Sequence, residues 1–271
     1  MVLRFAANLS MLWREVPFLE RFTRAREAGF EAVEFHWPRG EDLQAVVEAA
    51  RASGLRVVLH NMDAGDMAAG ERGYASDPDR QEEWRARFLE ALDLARRLGC
   101  PRLNCLVGNA RPDLPRELQW AVALENFRWA LPRAQEAGVT LLLEALNPIE
   151  NPRYLLHRTA DSLHLLGALG FPPNLKIQYD IYHMQRSEGN LIATLREAFP
   201  HIGHVQIADP PGRHQPGTGE IAWARVLGAL EALGYEGYIG LEYVPLGGTI
   251  ESLEWLPPEK RREATTVDLR I

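Results

Sequence analysis

Cysteine is scarce in this chain of 271 residues, because Cys100 and Cys105 are the only two. They are five positions apart, one before and one inside an apparent strand, whereas zinc-binding and redox pairs are usually spaced C-x-x-C. Free cysteine is among the residue types most often buried in protein cores. We therefore expect two reduced core thiols rather than a zinc or redox centre.

The chain also lacks long apolar runs and an excess of basic charge. No apolar run approaches the roughly 18–20 residues of a membrane span, and residues 1–8 enter a strand pattern without the apolar core of a signal peptide. The formal net charge is −7, and a nucleic-acid partner normally requires a basic patch. These absences predict a cytoplasmic protein that binds neither membrane nor nucleic acid.

Short apolar runs alternate with longer stretches of helical period, a pattern typical of βα repeats. The candidate strands are 3–8, 31–36, 55–60, 102–107, 139–145, 174–180, 202–208 and 238–244. The candidate helices are 15–28, 40–53, 79–98, 115–137, 159–169, 188–198 and 220–233. No Gly-x-Gly-x-x-Gly follows the first strand, so a dinucleotide-binding fold lacks its main support.

The number and order of these segments predict an α/β fold, a single (β/α)₈ TIM barrel. Such a barrel typically takes about 250 residues, which fits one domain over residues 1–271. The segment 257–271 reads either as a helix or as a loose tail. The sequence is compatible with a homo-oligomer but contains no patch that demonstrates one.

Four predicted strands in the second half end in side chains with oxygen ligands, namely Glu144, Asp180, Gln206 and Glu242. They are separated by 36, 26 and 36 residues, each close to the length of one strand-plus-helix unit. In a parallel barrel the C-terminal ends of successive strands surround one central point. Buried carboxylates are too costly to gather without a cation, and hard oxygen ligands suit Mg²⁺ or Mn²⁺. The ring therefore predicts a divalent-metal site.

A divalent ion in this ring would leave positions open for the oxygens of a substrate. It could chelate adjacent carbonyl and hydroxyl groups and stabilise the charge of an enediolate where that charge develops. Two carboxylates could then remove and return a proton. Glu144 and Glu242 are the natural pair, since their strands lie across the ring from one another.

Two long loops, 61–78 and 209–219, follow the third and seventh strands, at the face where barrel enzymes keep their sites. Their length and glycine content suit a substrate cover. A substrate carboxylate requires a guanidinium that pairs bidentately. Arg213 is the preferred candidate for that role, and Arg72 is the next.

Further polar residues at the strand ends are candidates for the pocket. His183 follows Asp180 by three positions and could donate a hydrogen bond to a substrate hydroxyl. Asn61 ends the third strand and is a candidate to contact substrate. The other residues expected to line the pocket are Asn8, Glu34 and His60.

Several segments resemble known proteins. The strand ends 143–147, 179–185, 204–209 and 240–243 resemble the xylose isomerase-like TIM-barrel superfamily. Within it, the loop segments 64–73 and 211–220 are similar to the hydroxypyruvate isomerase family. The resemblance runs from about residue 3 to Trp255, and the two loop motifs are its specific part.

This resemblance implies interconversion of hydroxypyruvate and tartronate semialdehyde (2-hydroxy-3-oxopropanoate), with Glu144 and Glu242 as catalytic residues. It places the metal ligands at Glu144, Asp180, Gln206 and Glu242. Glu150 stands where epimerases of the superfamily contact substrate. Related ketose epimerases usually have histidine in place of Gln206, which favours the isomerase.

Three alternatives stay open at the level of the sequence. A ketose 3-epimerase would use the same glutamates on a longer sugar. An endonuclease IV-like phosphodiester hydrolase would require a histidine-rich zinc site and a basic surface, which eight histidines on a chain of charge −7 do not supply. A non-catalytic sugar-acid binding protein is disfavoured because both glutamates are present.

Overall fold

A closed barrel of eight parallel strands forms the centre of the molecule in the computed structural model, which describes residues 2–271. The strands pair in chain order, and the last pairs with the first. Their bounds are β1 Arg4–Asn8, β2 Ala32–Phe35, β3 Arg56–Asn61, β4 Arg102–Asn104, β5 Thr140–Glu144, β6 Leu175–Asp180, β7 Ile202–Ile207 and β8 Tyr238–Leu241. The predicted (β/α)₈ barrel is confirmed.

Helices connect the strands and form the outer layer. Their bounds are α1 Phe18–Glu27, α2 Leu43–Ser53, α3 Gln81–Leu98, α4 Arg116–Glu136, α5 Thr159–Ala168, α6 Ile181–Ser187, α7 Leu191–Ala198 and α8 Trp223–Leu233. Seven of them lie at predicted helical segments. The exception is α6, whose seven residues are too few to show a helical period in the sequence.

Helix α6 begins directly at the end of β6 because the Asp180 side chain caps it. The Asp180 Oδ1 atom accepts hydrogen bonds from the backbone N–H groups of Tyr182 at 2.8 Å and His183 at 3.4 Å. A side-chain oxygen at this position satisfies backbone donors that the first turn leaves free. The cap therefore holds His183 close to Asp180 at the barrel mouth.

Aromatic packing joins the neighbouring outer helices α3 and α4. The rings of Trp84 and Phe88 on α3 stack with centroids 5.6 Å apart, and Phe127 of α4 meets Trp84 edge-on at 5.8 Å.

Cys100 and Cys105 are buried and unpaired, as predicted. Burial raises the pKa of the Cys100 thiol to about 12, so this thiol stays protonated.

The C-terminal segment lies across the end of the barrel opposite the candidate site. Leu3 and Ala264 exchange backbone hydrogen bonds of 2.7 and 2.9 Å. The buried Arg261 donates to the backbone oxygen of Ala28 at 2.5 Å.

None of the helices formed by residues 2–271 has both the length and the apolar character of a membrane span.

Candidate active site

The four predicted ligand residues lie at one end of the barrel, where strand register sets their heights. Asp180 of β6 is level with Gln206 of β7, and Gln206 is level with Gly240 of β8. Glu242 follows Gly240 by two positions, so the two lie on the same face of the chain. Glu144 ends β5, and all four ligand candidates are at most 4% exposed.

Both predicted catalytic glutamates, Glu144 and Glu242, line one cavity of about 100 Å³ at this mouth. The five residues predicted to contact substrate line the same cavity: Asn61, Arg72, Glu150, His183 and Arg213. His60, which the sequence also suggested for the pocket, does not line it. This histidine of β3 is fully buried, its ring stacks on Phe35, and burial lowers its pKa to about 4.

Glu242 is held on both of its oxygens. Its Oε1 lies 2.5 Å from Nε2 of His36, and its Oε2 accepts from Nη2 of Arg213 at 2.5 Å. The same Nη2 lies 3.4 Å from Oδ2 of Asp180. Burial would raise the pKa of Glu242, but the positive charge of Arg213 and the contact with His36 lower it. Arg213 therefore pairs with two of the carboxylates of the site, Glu242 and Asp180.

Glu144 and Asp180 have the opposite tendency. Burial raises the pKa of Glu144 well above its usual value, and the charges of Glu242 and Asp180 raise it further. Burial also raises the pKa of Asp180 to about 8, against the opposing effect of Arg213. Asn104 of β4 donates from Nδ2 to Oε2 of Glu144 at 2.7 Å. Three carboxyl groups are thus gathered where a further cation would stabilise their ionised forms.

The chemistry of these groups fits a divalent cation. Glu144, Asp180 and His183 each offer a ligand atom, and these atoms lie within 4.8 Å of one another. Carboxylate oxygens and imidazole nitrogens are common ligands of divalent metals. The cluster and the superfamily together indicate a divalent-metal site at the barrel mouth.

The hydrogen bonds of His183 define its tautomer. The backbone N–H of Asn147 donates to Nδ1 at 3.1 Å, and a backbone N–H can only donate. Burial and the charge of Arg213 lower the pKa of His183 well below its usual value, which favours the neutral ring. The ring proton is therefore on Nε2, 3.6 Å from Oδ2 of Asp180, and is available for donation.

Gln206 is in register with Asp180, and its amide is bonded on both sides. Its Nε2 donates to Oε1 of Glu34 at 2.7 Å, and its Oε1 accepts from Nε2 of Gln178 at 2.6 Å. Glu34 was expected to line the pocket, but it is fully buried below the cavity. The strand ends thus continue downward into a polar layer inside the barrel.

The loop 61–78 reaches over the cavity and is fixed at two places. The Nε of Arg72 donates to Oδ1 of Asn151 at 2.7 Å, which joins this loop to the one after β5. Gly73 has a φ of +88°, and an added Cβ there would overlap the backbone of Leu106. Only glycine combines this conformation with such close backbone approach.

Glu150 has polar partners at the rim of the cavity. It accepts hydrogen bonds from Tyr182, from Asn147 at 3.0 Å and from Arg186 at 2.5 Å. Burial alone would raise the pKa of Glu150, but these hydrogen bonds and the charge of Arg186 lower it. Glu150 therefore presents an ionised acceptor beside the cavity.

Two functional residues escaped the sequence analysis, His36 and Asn104. His36 follows the last residue of β2, and Asn104 is the last residue of β4. Their position is the same as that of the carboxylates identified on β5 to β8. Polarity at a strand end, the signal that identifies Asn61 and the four ligand candidates, was therefore available in the sequence for both residues.

Comparison with known proteins places this geometry in a family. The sequence model described as "Xylose isomerase-like TIM barrel" matches residues 22–259. The chain is 43% identical to a hydroxypyruvate isomerase of Escherichia coli, over 95% of this chain and 99% of that one. It is 40% identical to a 2-oxo-tetronate isomerase of Cupriavidus necator, over 94% and 98%.

A solved structure agrees over nearly the same extent. It is described as an AP endonuclease, family 2, from Brucella melitensis, and it superposes with a TM-score of 0.90 at 39% identity. The match covers 94% of this chain and 98% of that one. The chain belongs to the xylose isomerase-like TIM-barrel family and, within it, is an isomerase of the hydroxypyruvate isomerase family.

Proposed function

We propose that this isomerase interconverts hydroxypyruvate and tartronate semialdehyde, with Glu144 and Glu242 as the proton-transfer pair. The observation that carries the proposal is that both glutamates line one cavity of about 100 Å³ together with Arg213. A cavity of this size suits a three-carbon acid. The similarity to the E. coli hydroxypyruvate isomerase supports the same substrate.

Arg213 and His183 supply the donors for this substrate. The Nε and Nη2 atoms of Arg213 are directed at Glu242 and Asp180, so we assign its Nη1 to the substrate carboxylate. The Nε2 proton of His183 can be donated to a substrate oxygen. Glu150, an acceptor at the rim, suits a substrate hydroxyl, and we assign Asn61 and Arg72 to the remaining polar contacts.

We assign the metal ligands to Glu144, Asp180, Gln206 and Glu242, and the ion to Mg²⁺ or Mn²⁺, because all four donors are hard oxygens. Within the cluster of Glu144, Asp180 and His183, we assign ligation to the two carboxylates and not to the imidazole, because Nε2 of His183 carries a proton. When bound, a divalent cation supplies electrostatic stabilisation to negative charge on neighbouring substrate oxygens.

The reaction removes a proton from one carbon and adds a proton to its neighbour. One glutamate removes a proton from C3 of hydroxypyruvate, and the electron pair of that C–H bond forms the C2–C3 double bond of an enediolate, with the negative charge on O2. The other glutamate delivers a proton to C2 and the hydroxyl proton of O3 passes to O2, so that C3 becomes the aldehyde carbon and C2 carries the hydroxyl group. His36 and Arg213 hold Glu242, and Asn104 holds Glu144, so both carboxylates are oriented before substrate arrives.

A time course of hydroxypyruvate in deuterated buffer, followed by NMR, tests the proposal. We expect tartronate semialdehyde to form with deuterium at C2, because solvent exchanges with the proton held by the glutamates. A chelator should stop the conversion, and Mg²⁺ or Mn²⁺ should restore it. Turnover of fructose, tagatose or psicose with none of hydroxypyruvate would instead indicate a ketose 3-epimerase.

A four-carbon acid is a second candidate substrate because a larger cavity adjoins the first. This neighbour has a volume of about 480 Å³ and shares His36, Asn61 and Met67 with the catalytic cavity. The similarity to the C. necator 2-oxo-tetronate isomerase favours a substrate that extends into this space. The ratio of kcat/KM for 2-oxo-tetronate and hydroxypyruvate in the same assay decides between them.

A further inference from the structure

A fully buried carboxylate, Glu34 of β2, lies inside the barrel below the candidate metal ring. Three side-chain nitrogens surround it. Asn8 donates from Nδ2 to Oε1 at 2.9 Å, Gln206 donates from Nε2 to Oε1 at 2.7 Å, and Nε2 of His204 lies 2.6 Å from Oε2. A carboxylate in this position requires such partners, because a buried charge without them is strongly unfavourable.

The neighbouring strand leaves space for this carboxylate. An ideal Cβ placed on Gly240 of β8 would overlap both oxygens of Glu34. The φ of Gly240 is not in the left-handed region, so its backbone does not require glycine. Position 240 on β8 is therefore glycine because the Glu34 side chain fills the space that a larger residue there would need.

The carboxylate determines which way the amide of Gln206 faces. Oε1 of Glu34 accepts a hydrogen bond from Nδ2 of Asn8, and the Gln206 atom beside the same oxygen is the donor Nε2. The amide oxygen then lies on the other side, where it accepts from Nε2 of Gln178 at 2.6 Å. An amide oxygen has two acceptor sites, and the second of them can bind a cation. An amide NH₂ group at that position could not.

We propose that Glu34 is a positioning residue that fixes the Gln206 amide with its nitrogen toward β2 and its oxygen toward β6, the strand that carries Asp180. This inference rests on the proposed function, in which Gln206 is a metal ligand. Glu34 lies below the cavity and contacts Gln206 rather than the substrate. Its effect on metal affinity is therefore indirect and follows from the orientation of one amide.

The first test is calorimetric titration of the metal-free full chain with Mg²⁺ and Mn²⁺, comparing the wild type with Glu34→Gln. This substitution keeps the volume of the side chain but lets position 34 either donate or accept, so both orientations of Gln206 become available. We expect the metal Kd to rise about 10- to 100-fold, the usual effect of losing a partner that orients a ligand. An unchanged Kd would overturn the proposal.

Glu31→Gln is the matched control. Glu31 precedes the same strand, is partly buried and accepts a hydrogen bond from Tyr238 at 3.0 Å, but it makes no contact with Gln206. The chemical change is identical, so we expect the metal Kd to stay within about twofold of the wild type. An equal loss in both variants would also overturn the proposal.

A reciprocal exchange provides a second, independent test. Gln206→Glu alone would face Glu34 with a second carboxylate and should lower the Tm. In the double variant Glu34→Gln/Gln206→Glu, the new amide at position 34 can donate to the new carboxylate at position 206. We expect both the Tm and the metal Kd to recover toward the wild-type values.

If Glu34→Gln alone does not fold, the double variant tests the role of Glu34. A folded double variant that binds metal supports the proposal, and a folded double variant that does not bind metal overturns it. On the unsubstituted chain labelled with ¹⁵N, saturation with Mg²⁺ should shift the Nε2 resonance of Gln206, because ligation of the oxygen polarises the amide. An unmoved resonance contradicts the proposal whatever the variants do.

These measurements are separate from the test of the proposed function. Calorimetry reports metal binding with no substrate present. A wild-type chain that binds metal but does not convert hydroxypyruvate would refute the proposed substrate and leave the role of Glu34 standing. Conversely, hydroxypyruvate turnover combined with an unchanged metal Kd in Glu34→Gln would refute only the role of Glu34.

Discussion

The two halves of the barrel present different chemistry at the mouth. The last strand residues of β1, β3 and β4 are the asparagines Asn8, Asn61 and Asn104. The ends of β5 to β8 instead carry Glu144, Asp180, Gln206 and Glu242. One half therefore offers mainly neutral amides, and the other offers three carboxylates and a single amide.

Contacts between the halves show how they depend on each other. Asn104 donates to Glu144 at 2.7 Å, and His36 lies 2.5 Å from Glu242. Both contacts join a residue of the first half to a carboxylate of the second. The first half therefore orients the carboxylates of the second half, and its own carboxylate, Glu34, lies below the cavity. The second half supplies both of the glutamates that we propose to react.

The largest effect should follow from changing a reacting group in the charged half. Glu242→Gln keeps the shape of the side chain but removes the base, so we expect kcat for hydroxypyruvate to fall by about 10² to 10⁴. Deuterium incorporation at the substrate carbon should be lost with it. NMR in deuterated buffer measures both, and circular dichroism should show an intact barrel.

Glu254→Gln is the control for Glu242→Gln. Glu254 is an exposed carboxylate on the segment that follows β8, and its replacement should leave kcat unchanged. Retained proton exchange in Glu242→Gln would remove Glu242 as a base. It would also end the division of roles between the two halves.

The same division explains how much the sequence could predict. The strands were found because each is a short apolar run between amphipathic helices. The carboxylate ring was found because buried acids at strand ends are unusual and their spacing matches the repeat. The position of His36 at a strand end could be read from the sequence, but its contact with Glu242 could not, because the two residues are 206 positions apart and meet only when the barrel closes.

The sequence also could not predict how the side-chain amides are oriented. Gln206 was predicted as an oxygen ligand, but which atom it presents depends on Glu34, from a strand far along the chain. Arg213 was predicted to bind a substrate carboxylate, yet in the structure it also pairs with Glu242 and Asp180. The orientation of Gln206 and the ion pairs of Arg213 depend on residues that are distant in the sequence and lie close together only in the folded chain.

A second prediction concerns Arg213, whose guanidinium lies beside Glu242 and Asp180. Arg213→Ala should raise KM for hydroxypyruvate by about 10- to 100-fold, as expected when a charged hydrogen bond of roughly 1.5–3 kcal/mol is lost. KM for dihydroxyacetone, a neutral triose, should rise much less because it has no carboxylate. Steady-state kinetics on the two substrates measures the difference.

Arg213→Lys is the matched variant for this prediction. It retains the charge but lacks the several N–H groups with which a guanidinium can bond Glu242, Asp180 and a substrate carboxylate at once, so we expect partial recovery of KM. Equal losses on the acid and the neutral triose would mean that Arg213 acts only on Glu242 and Asp180. The carboxylate would then be bound elsewhere, with Arg72 as the next candidate.

The smallest effect should come from the amide half. Asn104→Ala removes the donor to Oε2 of Glu144 but leaves every carboxylate in place, so we expect kcat/KM to fall by about tenfold. Asn174→Ala is its control, because Asn174 donates to the backbone of Leu131 just before β6, at the other end of the barrel. It should leave kcat/KM unchanged. A loss in Asn104→Ala as large as that in Glu242→Gln would show that the amides take part in the reaction, and the two halves would then have to be treated as one catalytic unit.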